Sequence, residues 1–312
     1  MKKIIVSGTL GFIFSNFIKY VVDEYPEFQF VGVDKAVYEY NLDNQFEHPN
    51  YKFYLADIAD KDLMDRIFKI EKPDIFLNSC AESFVDKSIA NFSPFLHSNV
   101  IGVQNVIDMC LKYNTRLLHT STDECMGQIL DINDPAWTEE SVLAPRNPYA
   151  ASKACSEFII NSAHHTHGLQ YQITRCCNVF GPSQKKENLV PHIIHSLIYD
   201  QSINIFGSGL QFRQYIYVQN KINAIMAILK YGKLNEIYNI GDNNFFTNLE
   251  MVNYIGNILN KTPNINFTTD RKAHDFGYKV NYDKLLKLGW KPTSTFNKNM
   301  EKTVEWYLQK LK

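Results

Sequence analysis

Short, continuously apolar runs alternate with helical patterns through the first half of the chain, and this alternation limits its possible folds more than any other feature. The runs are Lys3–Ser7, Phe28–Val33, Phe53–Ala56, Ile75–Cys80, Leu117–Ser121 and Tyr171–Cys176. A strand wetted on one face alternates apolar with polar residues, whereas a strand buried on both faces does not. Between the runs, Asp60–Ile70 and Ser98–Tyr113 carry helical periodicity. Strand–helix–strand repeats of these lengths make βαβ units, so the expected fold is α/β with a doubly wound parallel sheet. After about residue 176 the loops lengthen and Gly, Pro, Asn and Lys become frequent, with helices expected at Leu189–Tyr199, Asn248–Leu259 and Asn297–Leu311. The expected division is a sheet domain over residues 1–176, joined by about 214–240. A smaller C-terminal lobe would comprise 177–213 and 241–312.

Composition removes several classes of function. The 312 residues carry a formal net charge of −1, so the basic footprint of a nucleic-acid binder is missing. No run approaches the ~18 apolar residues of a membrane span. Ser7, Gly8, Thr9 and Gly11 interrupt the apolar start, which argues against a signal peptide. The six cysteines include no C-x-x-C pair, which speaks against zinc and against a secreted disulfide framework. No metal is expected, and the expected location is cytoplasmic.

Three constellations carry chemistry. The first is V-S-G-T-L-G-F-I-F at residues 6–14, between a strand and a helix. Gly8 permits a tight turn, and Gly11 lets the backbone approach a pyrophosphate resting on the helix N-terminus. Asp34 ends the second run, where a carboxylate binds the adenosine ribose and repels a 2′-phosphate. Together these predict a Rossmann domain that binds NAD through Gly8, Gly11, Phe12, Ile13, Asp34 and Lys35. Phe14 stands where a third glycine is usual, so its ring must alter helix–sheet packing or crowd the cofactor. The second constellation is Y-A-A-S-K: Tyr149 and Lys153 share a helix face, where a cation lowers the phenol pKa and makes a base. An exposed Tyr and Lys on a surface helix would give the same spacing. The third is T-S-T-D-E-C-M-G, with Thr122, Asp123 and Glu124 at a strand's C-terminal end. Split pKa values would make one carboxyl an acid and the other a base; a solvated acidic loop fits the spacing equally.

On these residues the chain resembles the extended short-chain dehydrogenases/reductases, and within them the nucleoside-diphosphate-glucose 4,6-dehydratases. Matching segments run from G-T-L-G-F-I-F-S-N-F (8–17) through D-K-A-V-Y-E-Y-N-L (34–42), A-D-I-A-D (56–60) and A-E-S-F-V-D-K-S-I (81–89). They continue with S-T-D-E (121–124), P-Y-A-A-S-K (148–153), N-V-F-G-P (178–182), R-Q-Y-I-Y-V (213–218) and Y-N-I-G (238–241). The Thr-Asp-Glu triplet discriminates, because the sugar epimerases and decarboxylases that share the other segments eliminate no water.

The resemblance implies that Tyr149, with Thr122 and Lys153, takes the 4-hydroxyl proton of a glucose while NAD accepts the C4 hydride. Glu124 would take the C5 proton and Asp123 would protonate the departing 6-hydroxyl. It places Asp57 and Ile58 at adenine, and Ala81 and Ser83 near nicotinamide and sugar. Asn178, Arg213 and Asn248 would hold the diphosphate, with Glu187 and Leu189 near the nucleotide. A homodimer built partly on the tyrosine helix is implied as well. Departures occur at Met126, Asn188 and Gly277, and Gln214-Tyr215 replaces an Asp-Trp pair. That last change favours UDP-glucose over dTDP-glucose as the expected substrate. His164, His165 and His167 are expected at a helix end, and Asp86-Lys87 either touches substrate or forms a local ion pair.

Overall fold

The computed structural model describes residues 2–36 and 44–311. Its strands, in chain order, are β1 (Lys2–Ser7), β2 (Phe28–Asp34), β3 (Tyr51–Leu55), β4 (Ile75–Asn78), β5 (Arg116–Thr122) and β6 (Tyr171–Cys176). They continue with β7 (Asn178–Phe180), β8 (Ile203–Phe206), β9 (Phe212–Tyr217), β10 (Glu236–Ile240), β11 (Phe245–Thr247) and β12 (Ile265–Thr268). The helices are α1 (Phe12–Glu24), α2 (Lys61–Glu71), α3 (Val85–Ala90), α4 (Ser93–Leu96), α5 (Gly102–Tyr113) and α6 (Pro148–His167). Then come α7 (Leu189–Ile198), α8 (Val218–Tyr231), α9 (Asn248–Leu259), α10 (Asp283–Leu286) and α11 (Phe296–Lys310).

One seven-stranded sheet has the order β10-β6-β5-β4-β1-β2-β3, with every pairing parallel. It is the expected doubly wound Rossmann sheet. Successive side chains of β1 serve opposite faces, as a period of two requires. Ile4 and Val6 join the layer holding Phe17, Val21 and Ile225 of α1 and α8. Ile5 joins the layer holding Ile67, Val106 and Ile160 of α2, α5 and α6. β1 has β2 on one side and β4 on the other, so connections leave it in both directions and a crevice opens at the strands' C-terminal ends.

The remaining strands build a β11-β9-β7 sheet and a β12-β8 pair. Ile193, Ile194, Met251, Ile255 and Met300 of α7, α9 and α11 fill the core against them. The helix expected at Ser98–Tyr113 is a π-helical turn at His97–Ile101 followed by α5, and α4 runs into it from Ser93. α6 runs past Ala163 to His167, ending where Gly168 takes φ +72°. Residues 37–42 of the Asp34–Leu42 segment lie outside the described residues. Among the described residues, no helix is long and apolar enough to cross a membrane.

Candidate active site

A cleft of about 350 Å³ opens at the C-terminal ends of the central strands. The turn after β1 forms its floor. Gly8 adopts φ +77°, and a Cβ there would stand 3.1 Å from the backbone of Ser79. Gly11 is the N-cap of α1 and no side chain caps that helix, while Gly11, Phe12 and Ile13 face the cleft. An uncapped helix N-terminus behind a glycine turn suits a diphosphate. One Asp34 carboxylate oxygen accepts the Leu10 N–H at 2.9 Å and the other accepts that of Ala36 at 2.9 Å. The ribose acid therefore also clamps the turn, and burial pushes its pKa up. Lys35 donates to Ser98 Oγ at 2.7 Å and stands 3.9 Å from Asp57. Asp57, Ile58 and Ala81 line the same wall. This part of the site fits NAD. Phe14 is 3 % exposed, with its ring centroid 5.3 Å from that of Phe17 in the core, and it also lines the cleft, so it meets both the packing and the cofactor side of the turn.

β5 delivers the acid pair. The Thr122 hydroxyl accepts the Glu124 N–H and turns the chain into a single 3-10 turn, Asp123–Met126. Asp123 is 2 % exposed; one oxygen accepts the Thr122 hydroxyl at 3.2 Å and the other, Oδ2, has no partner. Burial first, and then the Glu124 charge, hold its pKa well above the usual carboxylate range. Burial raises Glu124 as well, but there the Asn147 amide, 3.1 Å away, favours the charged form. Glu124 Oε2 also lies 3.4 Å from the Tyr278 hydroxyl, whose short hydrogen bond goes to Asp275. The pair is thus split in environment, which excludes a merely solvated acidic loop.

Asn147 does double duty, since its oxygen caps α6 at the Ala150 N–H (2.8 Å) while its amide holds Glu124. Pro148 opens α6, and both Tyr149 and Lys153 face the cleft. One expectation fails. Lys153 was to lower the phenol pKa, yet burial and Glu124 drive Tyr149 well above its ordinary value. Lys153 instead donates to the Thr120 carbonyl at 2.6 Å and lies 3.2 Å from His119 Nε2. Burial lowers Lys153 to about 8.

Ser83 and Asn178 also line the cleft, but Glu187, Leu189, Arg213 and Asn248 stand outside its wall. Glu187 is exposed, and Leu189 packs on the lobe core. Arg213 donates to the carbonyls of Phe212, Asp275 and Phe276 and stacks on Tyr278. Asn248 begins α9, with its N–H on Gln211 O. Gly277 is explained by packing, since a Cβ there would meet the Phe212 ring at 2.0 Å. Asp86 pairs with Arg271 at 3.5 Å, while Lys87 sits over the Phe84 ring. His164, His165 and His167 close α6, with His164 on Leu169 O. Sequence reasoning missed Lys185 and Lys221 in the cleft wall, and Asn147 and Tyr278 behind Glu124. The Asn-Pro pair before Tyr149 was a readable cap signal; nothing local marks the others.

The fold and this site define a nucleotide-binding Rossmann enzyme with a Tyr–Lys pair beside two unlike carboxyls. The chain belongs to the NAD dependent epimerase/dehydratase family, whose model matches residues 4–241. It is 37% identical over 310 residues to the low-salt glycan biosynthesis protein Agl12 of Haloferax volcanii, covering 98% of each chain. It is 34% identical over 334 residues to the dTDP-glucose 4,6-dehydratase of Haemophilus influenzae, covering 99% of this chain and 98% of that one. The dTDP-glucose 4,6-dehydratase DesIV of Streptomyces venezuelae, solved with NAD bound, superposes with a TM-score of 0.93 at 32% identity, covering 98% and 97%. A UDP-glucose 4-epimerase of Thermotoga maritima reaches a TM-score of 0.92 at 24% identity, covering 99% and 100%, a likeness of fold.

Proposed function

We propose that this chain is an NAD-dependent hydro-lyase, a nucleoside-diphosphate-glucose 4,6-dehydratase, acting on dTDP-glucose. The observation that carries this is the Asp123–Glu124 pair beside Tyr149: Asp123 is buried with Oδ2 unpartnered and its pKa raised by burial, while the Asn147 amide 3.1 Å from Glu124 favours the charged form there. A C4 epimerase has no water to expel and no use for a buried neutral acid. The relatives named for a substrate support dTDP-glucose over the UDP-glucose that Gln214-Tyr215 favoured. Those two residues lie away from the cleft: Gln214 ties Asp242 O to Val280, and Tyr215 packs against Phe246.

NAD would rest on Gly8, Gly11, Phe12 and Ile13, with Asp34 at the ribose, Asp57 and Ile58 at adenine, and Ala81, Tyr149 and Lys153 near nicotinamide. When bound, it accepts the C4 hydride and returns it to C6. Tyr149 takes the 4-hydroxyl proton, steadied by Thr122. The new ketone acidifies C5, whose proton Glu124 takes while Asp123 protonates the leaving 6-hydroxyl. Glu124 then reprotonates C5. Ser83 and Asn178 contact the sugar nucleotide. Glu187, Leu189, Arg213 and Asn248 would reach it only if the smaller lobe closes. The unit of residues 1–176 with about 214–240 would hold NAD, and the remainder the nucleotide. A cytoplasmic homodimer completes the proposal, supported by Leu96, Ile101 and Phe158, apolar and exposed near and on α6.

Incubation with dTDP-glucose and, separately, UDP-glucose, with NAD supplied, tests the function by mass spectrometry. Loss of one water from dTDP-glucose is the expected result. Loss from UDP-glucose alone would reverse the choice of base, and an unchanged mass with a new hexose isomer would replace the dehydratase with an epimerase.

A further inference from the structure

Behind Glu124, the Tyr278 hydroxyl stands between two carboxylates. It has one proton to give. Asp275 Oδ2 and Glu124 Oε2 are both within its reach, the Asp275 oxygen nearer and the Glu124 oxygen at 3.4 Å. The two oxygens differ in their other partners. Glu124 Oε2 already receives the Asn147 amide at 3.1 Å. The Asp275 side chain is 0% exposed and its Oδ1 receives Arg146 Nε at 2.7 Å. Its Oδ2 has no donor besides Tyr278 among the described residues. A buried carboxylate oxygen without a donor is costly. A proton given to Asp275 therefore satisfies both carboxylates, whereas one given to Glu124 strands Oδ2. Arg213 holds the segment in place: it donates to the carbonyls of Asp275 and Phe276, with its guanidinium carbon 4.5 Å from the centre of the Tyr278 ring.

We propose that Asp275 is a positioning residue that takes the single Tyr278 proton and so withholds it from Glu124, whose carboxylate keeps one donor fewer and is the stronger base for it. A donor stabilises a carboxylate in its charged form and weakens it as a base. With the proton turned to Asp275, Tyr278 shows Glu124 a lone pair instead. The other groups facing Glu124 are Asp123 on its own turn, Asn147 and Tyr149 of α6, Arg213 of β9, and Arg271 four residues before Asp275. Asn147, Arg213 and Arg271 favour the charged form, while burial and the Asp275 charge oppose it. Arg146, beside the cap of α6 and 46% exposed, pairs that buried charge from the solvent side.

The use of this base rests on the dehydratase assignment. Glu124 then takes the C5 proton, and the C5–H electron pair becomes the C5–C6 double bond as the C6–O bond breaks. The leaving oxygen takes the Asp123 proton. Neither Asp275 nor Tyr278 gains or loses a proton in this step. Asp275 acts only through the direction of one O–H bond.

Carbon NMR of protein labelled at the glutamate carboxyls, with Glu124 assigned by its absence in Glu124→Gln, reads the titration without turnover. The range runs from about pH 4 to about 9, from the ordinary glutamate value upward. Asp275→Asn should lower the Glu124 midpoint by about one unit, tenfold in the ratio of carboxyl to carboxylate. In a Tyr278→Phe background there is no proton to release, and the same substitution should lower the midpoint by clearly less. Equal falls in the two backgrounds would reduce Asp275 to a plain charge and overturn the proposal. Tyr278→Phe alone should leave the midpoint at or below the wild-type value. A rise would show that the hydroxyl donates to Glu124, and would overturn the proposal even if Asp275→Asn does not fold. With dTDP-glucose, the acid limb of kcat in Asp275→Asn should move down by the same unit. Lost activity at an unmoved limb would make Asp275 merely structural and also overturn it. Absence of any dehydration by the wild-type protein would sink the assigned reaction and leave the placement of the proton standing.

Discussion

Asp123 shows at a single residue how function and stability oppose each other. Its folded pKa is raised, so the folded state favours the protonated form. The stability it contributes is therefore full below the unfolded carboxylate value and is lost as pH rises through the raised one. Asp123→Asn should accordingly raise stability at neutral pH, by on the order of 1 kcal/mol, while lowering kcat for water loss about 10²–10⁴-fold. Calorimetry beside a mass-spectrometric rate assay checks both. As the proposed base Glu124 acts in its charged form, so with burial raising its pKa the acid limb of activity should lie above the ordinary carboxylate range. Asp123 must be neutral, so activity also falls at alkaline pH, and the adjacent pair titrates as a unit. A flat profile across the acid range would remove Glu124 as the base. Phe14→Gly deletes a core ring, and about 3–5 kcal/mol of stability should go with it. Thermal unfolding reads that loss directly.

Elements meet at few fixed points. Arg175 of β6 and Glu157 of α6 form a buried pair, each side chain 4% exposed. Glu157→Gln leaves the guanidinium uncompensated and should cost about 3–5 kcal/mol by denaturant titration. Gly277 bridges to Phe212 of β9 and fills under its ring. Gly277→Arg should therefore destabilise strongly alone and much less in a Phe212→Ala background. Equal losses in both backgrounds would show that the ring is not the obstacle.

At the scale of the molecule, many polar contacts join residues 177–213 and 241–312 to the rest of the chain, among them Phe276 N–H to Gln128, Lys279 to the carbonyls of Ile132 and Asp134, Lys284 to Glu236 and Trp290 to Asn220 O. Arg271 reaches Asp86, Arg146 reaches Asp275 at 2.7 Å, and the Asn16 amide donates to Pro182 O at 3.0 Å. The same scale governs assembly. Phe158 is 61% exposed on α6, and Ile101 is 55% exposed on the π-helical turn, which packs against α6. Phe158→Glu should convert the proposed dimer to a monomer, as light scattering behind gel filtration would show. A wild-type monomer would refute the dimer itself.

Local periodicity was enough for the parallel sheet, because strands buried on both faces leave a continuous apolar signature, and β1, β5 and β6 fall within one residue of their expected bounds. The glycine turn, Asp34, the Tyr149–Lys153 spacing and the Thr-Asp-Glu triplet were legible because each is set by a few neighbouring residues. Long-range burial decided the rest. The environment of Glu124 depends on Asn147 and Tyr278, and Lys153 meets His119, 34 residues away on another element. Arg213 and Gln214 look like substrate residues in sequence, and here they donate to backbone carbonyls of distant segments, Arg213 to Asp275 and Gln214 to Asp242. A residue type states which bonds a side chain can make; only the packed chain determines which partner is within reach and how much water remains.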